Sequence, residues 1–306
     1  MELNKILDYS IMADETSKTP DLKSGYTVNG KTYDNYMDKV SWKKFVDEMK
    51  KEKRAAYRRY GNGGGKELEE HKIGANTYPP KMASFGSSSR MIYNLAKNTE
   101  GFFFEEKLPT VVGGMANLDG FMESSDKCIF VEAKCREPYS SKTSIIDRAY
   151  ETLYDFISNS TKTKLVCNIS DLKDPEKNKK KMKVTFLYDG TEIHHFDLKQ
   201  MICHLLGVAY EFLIGNSNIK KTDFIYLLFN PKLINIEEGK ERILKIYDKT
   251  CAECDLVDFK ALFEVIVEYL LTLSHHKWKN EALSAAIIDN FTFALVDQAS
   301  FIERIK

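Results

Sequence analysis

Three side chains set the chemistry this chain can attempt: Asp119 in the segment ANLDGFME, and Glu132 and Lys134 in KCIFVEAKC. Both segments are short and rich in apolar and aromatic residues. They are separated by Ser124, Ser125 and Asp126, a pattern of two strands joined by a tight turn. A hairpin turning about Ser125 and Asp126 sets Asp119 opposite Glu132. Side chains alternate along a strand, so Glu132 and Lys134 share a face, and cross-strand Cβ atoms lie about 4.5–5.5 Å apart. Two acids and an amine then converge. The same alternation sends Leu118, Gly120, Met122, Ile129, Val131 and Ala133 to the opposite face as a surface for the core.

Carboxylates brought this close repel each other unless a cation offsets them, and all-oxygen donors favour a hard ion such as Mg²⁺, with Mn²⁺ as a substitute. An ion there would polarise a phosphodiester oxygen, while Lys134 orients the attacking water or helps deprotonate it. Because Mg²⁺ takes six ligands, a further acid is expected from the preceding segment GFFFEEKL, either Glu105 or Glu106. Alternation lets only one of them face the site. A lone Glu-x-Lys on a strand is more often a surface ion pair worth under about 1 kcal/mol. What separates this instance is the set: an acid, an Asp at matching register and the triplet on three successive strands.

The elements that must hold these residues can be read around them. Residues 101–108, 116–123 and 127–135 predict three consecutive strands. Ahead of them, YPPKMASF forces an extended entry, and Ser84 or Ser87 caps a helix over SSSRMIYNLAKN. After them, 144–157 predicts a helix, 183–188 a strand, and Asp197 caps an apolar helix over 198–213. A buried strand over 223–230 stops at Pro231, and helices over 237–247, 259–273 and 289–303 follow. Nearer the start, 36–60 predicts an exposed, basic-ended helix, with GNGGG (61–65) as a hinge and the lysine-rich run 171–181 as a solvated loop. The order is that of an α/β domain around a mixed sheet.

With those residues in view, the chain resembles the PD-(D/E)XK nuclease superfamily, whose pattern is an acid, an Asp on a strand, and Asp/Glu-x-Lys on the next. Here these are Glu105, Asp119 and Glu132-Ala133-Lys134. The stretches KMASFGSSSR, FEEKLP, ANLDG and VEAKCREP resemble, more closely, a bacterial family of restriction endonucleases. The likeness covers about 78–138 well and is looser beyond, where FDLKQMICHLLG is similar to the family's second core helix and its Gln, here Gln200. Leu118 stands where the superfamily's Pro would be.

The resemblance implies a restriction-endonuclease-like mixed central sheet flanked by helices. It divides the chain into a helical arm and hinge (1–77), a nuclease core (78–232) and a C-terminal helical extension (233–306). It also implies Mg²⁺-dependent cleavage of DNA, double-stranded, often by a homodimer. Candidate phosphate contacts are Lys81, Ser87, Ser88, Ser89, Arg90 and Gln200, since a serine-rich helix start flanked by cations suits an anion. The plainer account has the serines capping a helix, Arg90 pairing with an acid and Gln200 exposed on its helix. A non-cleaving binding or assembly protein on the same fold, and a nuclease for RNA or branched DNA, are the rival readings. Neither the basic helix near the start nor the tail after Asn230 matches a base-reading motif.

Composition narrows the classes further. The 306 residues carry 45 basic and 45 acidic side chains, so there is no global positive field and any phosphate-binding surface must be local. No window reaches the roughly 18 apolar residues of a membrane span, and the first residues lack a signal-peptide pattern, which predicts a cytoplasmic protein without membrane contact. The six cysteines read as reduced thiols. Cys251 and Cys254 form a single C-x-x-C, short of the four ligands of a structural zinc site even with His275 and His276 nearby.

Overall fold

The computed structural model describes residues 2–51, 67–139, 144–172, 180–214, 220–273 and 281–305. It starts with α1 (Leu3–Lys18) and a hairpin of β1 (Ser24–Val28) and β2 (Lys31–Met37). That turn places Asn29 and Gly30 at φ +48° and +75°, the left-handed pair that an Asn-Gly hairpin turn requires. Next come α2 (Lys39–Lys51), β3 (His71–Ile73), β4 (Asn76–Tyr78), α3 (Ser88–Ala96), β5 (Phe102–Pro109), β6 (Met115–Glu123) and β7 (Lys127–Lys134). They are followed by β8 (Ile145–Asp147), α4 (Glu151–Asn159), β9 (Leu165–Asp171), β10 (Lys181–Tyr188), β11 (Thr191–Ile193) and α5 (Leu198–Ile214). The last are β12 (Lys221–Leu228), α6 (Lys240–Leu256), α7 (Phe259–Thr272), α8 (Glu281–Asp289), β13 (Phe291–Val296) and α9 (Gln298–Arg304).

The main sheet has five strands in the order β13-β12-β7-β6-β5. Strands β5, β6 and β7 form an antiparallel meander, while β12 runs parallel to β7 and β13 parallel to β12. The protein is therefore of the α/β class with a mixed sheet, covered on both faces. One apolar cluster joins Leu118, Phe121 and Phe130 to α4, α5 and α7 and to the smaller sheet of β8–β11. The other joins Ile129, Val131 and Ala133 to α1, α2, α3 and α9.

The β6–β7 register follows the sequence expectation: Gly120 pairs with Val131 and Phe121 with Phe130, so Asp119 and Glu132 are the next step. There the ladder gives way. The Asp119 carboxylate, rather than a backbone carbonyl, accepts the Ala133 N–H at 2.8 Å. The expected apolar face needs one correction, because Leu118 lies in the same cluster as Phe121 instead of with Ile129 and Val131. The sheet rolls over at this point. On β5, Phe102 and Phe104 belong to one cluster and Leu108 to the other, and Glu105 between them sits at φ +59°. A left-handed conformation costs a residue with a Cβ about 1–3 kcal/mol and concentrates at functional sites.

Other differences follow from contacts far along the chain. The helix expected over 144–157 begins as β8, because Ile145 and Ile146 pair with β10, and becomes helical at α4. The helix expected over 289–303 is β13 followed by α9. Its FTFALV run is aromatic and β-branched, and Asp297 caps the helix by accepting the Ser300 N–H at 2.9 Å. The C-terminal extension thus supplies an edge strand of the main sheet as well as helices. Nor is the N-terminal part wholly helical or its helix over 39–51 fully exposed: β1 and β2 lie within it, and Leu7 and Ile11 of α1 and Trp42 and Met49 of α2 are buried in the second cluster. Strands β1 to β4, β9 and β11 went unanticipated. The glycine hinge and most of the lysine-rich run lie outside the described residues, as do His275 and His276. Cys251 and Cys254 stand one turn apart on α6 as free thiols. No described helix is long and apolar enough to cross a membrane.

Helix α5 lies tightly over the meander at Gly207, where an added Cβ would stand 2.7 Å from the Ala116 Cβ and 3.2 Å from the Leu108 Cβ. Gly207→Ala is expected to cost about 1–3 kcal/mol through overpacking, despite the roughly 1 kcal/mol it gains in helix propensity. Urea unfolding reads the result, and an unchanged or raised midpoint would contradict so close an approach.

Candidate active site

Where β5 and β6 roll over, a cleft of about 340 Å³ opens among the ends of β7, α3 and α5. Glu105, Asp119, Glu132 and Lys134 all line it. A larger cavity of about 700 Å³ lies elsewhere, beside β10, β11 and α6, and holds none of the four.

Glu132 and Lys134 alternate onto one side of β7, as the strand period requires, and are almost fully buried. The Lys134 Nζ stands 2.6 Å from Oε1 of Glu132 and donates to Oε1 of Gln200 at 2.6 Å. The other carboxylate oxygen of Glu132 is 2.9 Å from Nε2 of His204. Gln200 and His204 are four residues apart on α5, so one helix face supplies both. Asp197 fixes the start of that helix by accepting the Gln200 N–H at 3.1 Å. Gln200 therefore orients the lysine, a different role from the phosphate contact the sequence put forward.

Of the two candidate acids on β5, Glu105 lines the cleft and accepts a hydrogen bond from Ser89 Oγ at 3.1 Å. Glu106 is buried and is not among the lining residues. Of the proposed phosphate contacts, Lys81, Ser87, Ser88 and Ser89 line the cleft. Ser87 caps α3 by accepting the Arg90 N–H, and Lys81 lies 3.3 Å from Glu67. Arg90 is removed from that list. It is only 1% exposed, donates to the carbonyls of Ser84 and Phe85, and pairs with Glu15 of α1 at 2.5 Å. Its guanidinium fastens α1 to α3, and Arg90 is not among the residues lining the cleft.

The charges here are unevenly compensated. Burial pushes the Asp119 carboxyl well above its ordinary range, and Glu132 and Glu105 push it further. Burial, with Glu67 next, raises Glu105 to about 7. Glu132 goes the other way: although burial opposes ionisation, the Lys134 ammonium and His204 hold it below the usual carboxylate range. Lys134 is in turn kept protonated, because Glu132 and Glu137 outweigh the desolvation of its ammonium. This favours water orientation and charge stabilisation over a role as base for the lysine.

Among the described residues, no three His, Cys, Asp or Glu side chains are grouped to hold a metal ion as they stand. By charge and donor type, however, Asp119 and Glu105, with Glu132 behind them, suit a hard divalent cation: all donors are oxygens, and burial, followed by neighbouring carboxylates, raises the two outer carboxyls. The sequence reading passed over His204, which looks like a core residue inside MICHLLG. The available signal was its position four residues after Gln200. Glu137 was also missed; its Oε2 accepts the N–H groups of Cys135 and Arg136 where β7 ends. Comparison of the chain with family models, with curated proteins and with solved structures finds no match.

In EDTA, Glu105 should make stability fall as pH rises. The folded state holds this proton up to about pH 7, while the unfolded chain releases it near its ordinary value of about 4.3. The penalty is absent at pH 4, grows between about 4.3 and 7 and is complete above. Glu105→Gln should match wild type at pH 4 and exceed it by about 1–3 kcal/mol at pH 8. Parallel pH–stability curves would contradict the crowding of acids described here.

Proposed function

We propose that the protein is a Mg²⁺-dependent endonuclease of the PD-(D/E)XK, restriction-endonuclease-like kind, hydrolysing phosphodiester bonds in double-stranded DNA. One observation carries this reading: an acid from each of three successive strands and a buried lysine line one cleft, where burial and neighbouring carboxylates raise the two outer carboxyls. The order β5-β6-β7 with β12 parallel to β7 and α5 across the meander is compatible with the core that the resemblance implies.

Asp119 and Glu105, backed by Glu132, would hold the divalent ion, which when bound supplies Lewis-acid polarisation of the phosphodiester and neutralises developing charge. Lys134, fixed between Glu132 and Gln200, orients the attacking water and offsets charge on the phosphate. His204 keeps Glu132 ionised and aimed at the cleft. Lys81 and the serines at the start of α3 meet the substrate backbone. A homodimer, placing two such clefts on opposite strands, and a cytoplasmic location belong to the same proposal.

The competing reading, a binding or assembly protein that does not cleave, draws on the engagement of Glu132 by both Lys134 and His204 and on the lack of a three-ligand group among the described residues. Incubation of plasmid, linear duplex, branched DNA and RNA with Mg²⁺ or Mn²⁺ decides the matter. Wild type should cut at least the duplexes, Asp119→Ala and Lys134→Ala should lose about 100-fold or more, and His204→Gln about 10–100-fold. Equal behaviour of wild type and variants on every substrate would end the enzyme reading, and preference for RNA or branched DNA would redirect it.

A further inference from the structure

The cleft has a cation whose anchorage comes from the far end of the chain. Asp8, on α1, has no exposed surface, and a carboxylate so removed from water is retained only when paired. Its Oδ2 accepts from Arg136 NH1 at 2.6 Å and from Asn35 Nδ2 at 2.7 Å. Arg136 follows Lys134 by two residues, lines the same cleft and keeps 35% of its side chain exposed. Glu137 holds the backbone at this point through the Arg136 N–H. Gly86 makes room for the pair, since a Cβ there would lie 1.9 Å from Asp8 Oδ1 and 3.1 Å from Arg136 Cδ.

An anionic strand entering a cleft lined by Glu67, Glu105, Asp119, Glu132 and Glu137 needs positive charge to meet it. Lys134 is engaged by Glu132 and Gln200, Lys81 lies beside Glu67, and Arg90 is buried on Glu15. Arg136 presents a planar fork of five N–H donors, of which Asp8 meets NH1. Resting on the nuclease reading above, we infer that Arg136 binds a backbone phosphate of the substrate and that Asp8 is its positioning residue, so that α1 is a working part of the site. An arginine held from behind by one carboxylate and open in front is suited to phosphate, because its remaining donors are already aimed.

The test uses the full chain and a short fluorescein-labelled DNA duplex. Binding is followed by anisotropy in Ca²⁺ over a range of salt, and cleavage by kcat and KM in Mg²⁺. Arg136→Ala should weaken binding by at least about ten-fold and reduce the salt dependence by about one ion. Arg136→Lys should recover part of the affinity. Asp8→Asn should weaken binding by less, chiefly through KM, and add nothing in the Arg136→Ala background, a non-additivity that a merely structural role would not produce. Because Arg136→Ala leaves Asp8 charged and unpaired, Asp8→Asn with Arg136→Gln serves if that variant fails to fold, with the same expected loss. If wild type cuts DNA while affinity and salt slope are unchanged in these variants, the inference is overturned and the nuclease reading stands. If wild type neither binds nor cuts, both fall together.

Discussion

Mutual repulsion among carboxylates is the constraint around which this structure is arranged. Glu105, Asp119 and Glu132 share a small volume cut off from much of the solvent, where burial first and neighbouring carboxylates second make Glu105 and Asp119 harder to ionise. The protein resolves the conflict only at the back of the site, where Lys134 and His204 flank Glu132 and keep it charged. Among the described residues, the two acids nearer the opening accept from neutral groups instead, Asp119 from the Ala133 N–H and Glu105 from the Ser89 hydroxyl. An electrostatic debt of this kind is unfavourable for folding, so its persistence points to something that settles it from outside.

The fold gives that cluster its shape through a local irregularity in a regular sheet. Beyond Gly120 and Val131, the Ala133 N–H turns to a carboxylate, and Glu105 adopts a left-handed conformation as β5 changes face. These features occur together, so the loss of regular pairing and the gathering of acids are one event. Because both faces of the sheet are covered elsewhere, the rolled-over stretch is where polar side chains from β5, β6 and β7 meet an opening.

The sequence was legible where structure depends on short-range pairing. Asp119 and Glu132 could be aligned because one tight turn joins their strands and period-two alternation leaves little choice of register. Asp197 as the cap of α5 was equally readable from its place before an apolar run. Illegible were the elements fixed by distant partners: β13 is a strand because β12 offers it an edge, and β8 because β10 does. Arg90 was ambiguous for a chemical reason, since an arginine at a serine-rich helix start suits an anion or a buried acid equally well, and only Glu15, seventy-five positions away, decides. His204 was hidden because a histidine amid leucines looks like ordinary interior.

Strand β13 has a consequence for how the molecule is made. During synthesis β12 emerges well before residues 291–296, so for that interval a strand ending in the apolar run FIYLL presents unsatisfied N–H and C=O groups along one side. Helix α1 waits as well, for Arg136, just past the end of β7 and more than a hundred positions downstream. Closure so dependent on remote contacts is slow by nature, and the nascent chain is most vulnerable to self-association just before its final strand slots into place.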